Sequence, residues 1–167
     1  MVDASDKVFE ALNRHISAEL SNSHEYLAAS AFLAHRGLEG MAKWLRAQSE
    51  EERGHAMRFH DHVLERGGRV RLGDIRAPPE RYDGPLQLFQ SALKSEQETT
   101  ARISGLYEDA LANKDYALHI FLQWFIQEQV KEEAQIQAIV DRLNLIGDDK
   151  AALVMLDADL GQRSVPA

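Results

Sequence analysis

Glu52 and His55 stand three residues apart in a stretch without proline. On a helix, that spacing stacks both side chains on one face, a turn apart, where a single cation could take both. A carboxylate oxygen beside an imidazole nitrogen suits iron, manganese or zinc. The chain has no cysteine, which excludes disulfides, thiolate metal sites and cysteine nucleophiles. A lone Glu-x-x-His is usually accidental in a helix-rich chain, so its meaning depends on what other residues the fold brings beside it.

Proline and glycine mark out the elements that would do so. Ser5 to His35 contains neither, and Glu39 to Arg66 contains only Gly40 and Gly54. Gly67 and Gly68 open a segment that also holds Gly73, Pro78, Pro79 and Gly84. Pro85 starts a third helical run to about Ala112, with Asp83 as its expected cap. Asp115 is expected to cap a fourth run ending near Ile146, with Gly147 closing it. Asp148 is expected to cap a short fifth helix reaching Leu160. The four long helices would each span roughly 42 to 48 Å at ~1.5 Å per residue. A tight turn at Gly37 makes the first two antiparallel. The stretch between the second and third could extend roughly 60 Å at ~3.3 Å per residue. That is long enough to cross the length of a bundle. The expected fold class is all-α: a four-helix bundle with a long crossover between helices two and three, plus a short fifth helix, in a single domain over 1–167.

A heptad seam drawn on each helix supports this. The first reads Phe9, Leu12, Ile16, Glu19, Ser23, Tyr26, Ser30, Leu33. The second reads Met41, Leu45, Gln48, Glu52, His55, Phe59, His62. The third reads Leu86, Phe89, Leu93, Glu96, Thr100, Ile103, Tyr107, Ala110, and the fourth Leu118, Leu122, Phe125, Gln129, Glu132, Ile136, Ile139, Leu143. Each seam is largely apolar and each is interrupted near its middle by a glutamate: Glu19, Glu52, Glu96 and Glu132. In a bundle of equal helices those midpoints share one level, beside His55 and Gln129. Four buried carboxylates must either protonate or be neutralised by cations. Two divalent ions balance them in formal charge. Glutamates from separate helices combined with Glu-x-x-His elements form a known di-iron bundle pattern.

With these residues in place, the sequence resembles the ferritin family, and within it the bacterial non-haem ferritins, from about Val8 to Leu160. The resemblance is carried by Glu19 with Tyr26, by 50–56 (Glu-Glu-Glu-Arg-Gly-His-Ala), by Glu96-Gln97, and by 121–129 (Phe-Leu-Gln-Trp-Phe-Ile-Gln-Glu-Gln). It implies a ferritin-like bundle that oxidises Fe(II) with O2 and stores ferric mineral inside a homo-oligomeric shell of 24 subunits. It implies that Glu19, Glu52 and His55 hold a first iron, with Glu52 bridging, and that Glu96, with Gln129 and Glu132, holds or orients a second. Tyr26 resembles the tyrosine beside the centre that assists electron transfer, a role compatible with a core tyrosine. Trp124 reads as a further electron donor or as packing. Glu51 and Glu128 match a third iron site, with Glu132 shared. Lys131 stands where these proteins often carry another glutamate, and a cation there weakens a third metal. Glu51 and Glu128 read equally well as solvated or ion-paired.

Haem is not expected. Bacterioferritin binds it through a methionine following the bridging glutamate, where this chain has Arg53, and carries a second Glu-x-x-His, which Glu128 to Glu132 lacks. The formal net charge of -8 argues against nucleic acid as a partner. Residues Met1 to Glu10 show no apolar signal core, and no run approaches the ~18 apolar residues of a membrane span. A cytoplasmic location without membrane partners is therefore the expectation. His15, His24, His35, His60, His62 and His119 suggest no second cluster.

Overall fold

The computed structural model describes residues 4–79 and 81–163. These hold five helices: α1 (Ala4–His35), α2 (Glu39–Glu65), α3 (Pro85–Ala112), α4 (Tyr116–Ile146) and α5 (Lys150–Leu160). No strand occurs among the described residues. The helices fall into two compact units. One holds α1, α2, the crossover as far as Tyr82, and α5, and the other holds α3 and α4.

In the first unit, α1 and α2 pair as a hairpin. The chain leaves α1 through Gly37 at φ +77. There the N–H of Leu38 reaches Leu33 O and that of Gly37 reaches Ala34 O, both at 3.0 Å. This double closure satisfies the last carbonyls of α1, and it needs a left-handed residue that glycine supplies without strain. Small hydroxyl residues let the two helices approach. Ser23 donates to Ser49 O at 2.8 Å, Ser49 to Ser23 O at 2.7 Å, and Ser30 to Ala42 O at 2.9 Å. All seven residues of the α2 seam are buried. On α1, Leu12, Ile16, Glu19, Tyr26, Ser30 and Leu33 are buried.

A different stripe of α1 holds the crossover. Asn13, Ser17, Ser21 and Glu25 recur every four residues, so they line one face. Asn13 donates to Arg69 O (3.0 Å) and accepts from Arg71 N (2.9 Å). Ser17 accepts from Gly73 N (2.9 Å) and Ser21 from Arg76 N (3.2 Å). The guanidinium of Arg76 pairs with Glu25. This ladder gives an extended segment without secondary structure the backbone partners it otherwise lacks.

α5 packs on the start of α2. Leu38 gives α2 no side-chain cap. Instead Asp157 of α5 accepts from Gly40 N (3.1 Å) and Met41 N (2.7 Å). A Cβ on Gly40 would lie 1.7 Å from the backbone oxygen of Asp157, so only glycine permits this approach.

In the second unit α3 and α4 also pair. All eight seam residues of α4 are buried. Asp115 caps α4 as expected, accepting from Leu118 N at 3.1 Å, and Gly147 closes the helix at φ +54. Two expected caps differ. Gly84, not Asp83, directly precedes α3 and no side chain caps it. Asp83 lies one residue too far out, and its N–H donates to Gln87 Oε1 at 3.4 Å. The fifth helix starts at Lys150, which puts Asp149 rather than Asp148 directly before it.

Candidate metal centre

The α1–α2 hairpin carries the sharpest group. Glu19 comes from α1, and Glu52 and His55 from α2. One ligand atom from each lies within 4.8 Å of the others. Both carboxylates are 0% exposed and His55 is 6% exposed. Glu52 Oε2 lies 3.8 Å from His55 Nδ1, as the one-turn spacing predicts. The burial of Gln48 and Phe59, a turn to either side, keeps the trio out of water.

Two polar groups on α1 flank Glu19. His15 Nε2 lies 2.7 Å from its Oε1, and Asn22 donates to its Oε2 at 3.4 Å. Burial raises the pKa of Glu19. The charge and hydrogen bond of His15, a hydrogen bond with Glu52 and the charge of His55 together outweigh burial and lower it from 4.5 to about 2. Glu19 is thus held as an anion in a closed interior, the state a cation requires. Two carboxylates and an imidazole so enclosed form a donor set whose burial a divalent ion would offset.

The second unit gathers a different group. Glu96 on α3 is 0% exposed, and Gln129 and Glu132 on α4 are each 2% exposed. Gln129 Nε2 donates to Glu96 Oε2 (3.1 Å), Glu96 O (3.2 Å) and Thr100 Oγ1 (3.3 Å). Thr100 in turn donates to Glu133. Glu132 follows Gln129 by three residues, on the same buried face.

The remaining expected residues are placed as follows. Tyr26 is buried at 4% exposure, two turns past Glu19. Trp124 meets Phe125 edge-on at 4.8 Å. Glu51 accepts from Arg163 at 2.6 Å, and Glu128 from Lys131 at 2.8 Å. Arg163 also donates to Gln48 Oε1 (2.9 Å) and lies over the Trp44 ring. The hydrogen bond that Lys131 donates to Glu128, followed by the charge of Glu128, raises the Lys131 ammonium pKa. Sequence reasoning gave no role to His15, Asn22, Glu133 or Arg163. His15 had a usable signal in its four-residue spacing before Glu19. Arg163 had none, because its contacts join segments more than a hundred residues apart.

A helical protein with enclosed carboxylates and imidazole belongs among metal-binding helical proteins, and comparison with known proteins narrows the class. Residues 9–146 match the family model for the ferritin-like domain. The bacterial non-heme ferritin of Bacteroides fragilis (strain 638R) is 38% identical over 159 residues, 95% of this chain and 99% of that one. The bacterial non-heme ferritin of Staphylococcus aureus (strain MRSA252) is 36% identical over 160 residues, 96% of each chain. Among solved structures, an open-pore ferritin from the archaeon Archaeoglobus fulgidus is 44% identical with a TM-score of 0.94, over 97% of this chain and 100% of that one.

The chain belongs to the ferritin family. Its fold class is the all-α, ferritin-like four-helix bundle with a short fifth helix, and family and fold support a role in iron storage. No helix among the described residues is long and apolar enough to cross a membrane.

Proposed function

We propose that this protein is an iron-storage ferritin subunit with ferroxidase activity, oxidising Fe(II) to Fe(III) with O2 and depositing ferric mineral inside a shell of 24 copies. The observation that carries the reading is the enclosed trio of Glu19, Glu52 and His55, with ligand atoms within 4.8 Å. These residues bind one ferrous ion, and Glu96 with Gln129 and Glu132 hold or orient another. Tyr26 assists electron transfer at the centre and is not itself consumed. Each ferrous ion gives one electron, so O2 receives two, takes up two protons and leaves as hydrogen peroxide, and no superoxide is released. Carboxylate oxygens stabilise the ferric product over the ferrous substrate.

A third iron at Glu51 and Glu128 must displace Arg163 and Lys131, so we propose it as the weakest of the three sites. The family model crosses both compact units, which supports a single domain over 1–167. Family membership likewise supports the shell, a cytoplasmic location, and iron without haem.

The test is aerobic addition of Fe(II) to the metal-free protein, following O2 uptake and then sizing the product. Rapid uptake with iron retained in a very large particle supports a catalytic storage shell. Glu52→Ala is expected to abolish the fast phase. If it consumes O2 as fast as the parent, the site is wrong.

A further inference from the structure

His15 belongs to none of the groups assigned above, yet it is among the most enclosed polar residues in the chain. It is 2% exposed. One face of its environment is the ring of Phe59, met edge-on at 4.3 Å between centroids. Phe59 lies one turn past His55 on α2, so the hairpin that carries the trio also fixes the imidazole plane. His15 Nε2 lies 2.7 Å from Glu19 Oε1, off the line of a formed hydrogen bond, and neither ring nitrogen has a hydrogen-bond partner among the described residues. Of the two ring nitrogens only Nε2 has the Glu19 carboxylate within reach, so an N–H there is the donor a small turn of the ring brings onto Glu19. His15 and Asn22 thus approach the same carboxylate from one turn before it and one turn after it.

A carboxylate with free rotation about its last bonds loses that freedom when it binds an ion, and a donor that fixes it beforehand lowers this cost. Partners of this kind typically alter metal affinity by about 10- to 100-fold. We infer that His15 is a positioning residue: its Nε2–H holds the Glu19 carboxylate in the orientation in which it meets Glu52 and His55 around a divalent cation. The inference rests on reading that trio as a metal site.

The test uses the full-length assembled protein freed of metal and titrated with Co(II), whose visible bands report the geometry of its ligands. His15→Leu fills the space without donating, and His15→Gln restores an N–H at about the reach of Nε2. The leucine variant is expected to lose about 10- to 100-fold in its tightest Co(II) affinity and to change the Co(II) bands. The glutamine variant is expected to stay within about 3-fold of the parent with the parent's spectrum. If the leucine variant does not assemble, His15→Asn replaces it, since the shorter amide cannot reach Glu19. A mere packing role predicts altered melting with unchanged Co(II) affinity and bands in the non-donating variant, and that result overturns the inference. Glu52→Ala run in parallel separates the two readings. If it weakens Co(II) binding while the non-donating His15 variant does not, the metal site stands and the role of His15 falls. If Glu52→Ala also binds as the parent does, the metal site itself falls, and the inference with it.

Discussion

The two helical hairpins carry carboxylates at the middle of their seams, but they hold them in different ways. In the α1–α2 hairpin, Glu19, Glu52 and His55 crowd within 4.8 Å, and the donors His15 and Asn22 stand on the helix that carries Glu19. In the α3–α4 hairpin, Glu96 is engaged across the pair by the Gln129 amide, which Thr100 links onward to Glu133. The first arrangement concentrates two carboxylates beside an imidazole. The second engages the Glu96 carboxylate through the neutral Gln129 amide. Buried charge that is paired internally costs less to keep. On the proposed function, the first hairpin is therefore the one expected to depend more on a bound cation.

The largest expected contrast is in iron chemistry. Glu52→Ala should slow Fe(II) oxidation by about 100-fold or more, consistent with loss of a direct metal ligand. An equal loss from a substitution in α3 or α4 other than at Glu96, Gln129 or Glu132 would erase the asymmetry.

Acid sharpens the comparison through Glu19. Its folded pKa of about 2 lies below the ordinary 4.5, so its ionised form stabilises the metal-free fold above pH 4.5. That contribution is lost as pH falls from 4.5 towards 2, by up to about 3 kcal/mol. Denaturant titration of the metal-free protein across this window should show a steeper loss for the parent than for Glu19→Gln. Parallel curves would mean that Glu19 is not held as an anion.

Gln129→Leu is expected to act mainly on the second hairpin. Losing the amide leaves Glu96 Oε2 without that donor and should cost about 1 to 3 kcal/mol of stability. Co(II) affinity at the Glu19, Glu52 and His55 trio should stay within about 3-fold of the parent. A larger fall would show that the two groups act as one unit.

The smallest effect concerns the turns. The first hairpin exits α1 through Gly37, whereas the second exits α3 through Lys114 at φ +56, with Asp115 N reaching Ala110 O at 2.8 Å. A lysine there carries a left-handed penalty that glycine avoids, so Lys114→Gly should stabilise the metal-free protein by about 1 kcal/mol. A melting temperature below that of the parent would show that the side chain contributes something the backbone strain does not outweigh.

Much of this was legible beforehand. The seams of α2 and α4 are buried at every drawn position because helical period and apolar spacing are local properties of the chain. Glu52 and His55 share a face for the same reason. The cap at Asp115 needed only its own next three residues. The Asp83 cap failed although α3 begins at Pro85 as expected, because Gly84 is then the residue directly before the helix and Asp83 stands one position too far out. Asn13, Ser17, Ser21 and Glu25 gave no signal, since nothing in their spacing says that an extended segment will lie on them.

The sequence by itself determined which residues form helices, which face of α2 and of α4 is buried, and which carboxylates interrupt those faces, because all three follow from contacts within a few residues. On α3 the drawn seam is only partly right, since Leu86, Leu93, Thr100 and Tyr107 are half-buried while Leu88, Thr99 and Leu106 are buried. Only the tertiary structure decided that Asp157 caps α2 where Gly40 leaves room, that Arg163 takes Glu51, and that His15 is sealed in by Phe59. Each of these joins residues whose proximity depends on how one helix is set against another, and no local period encodes that.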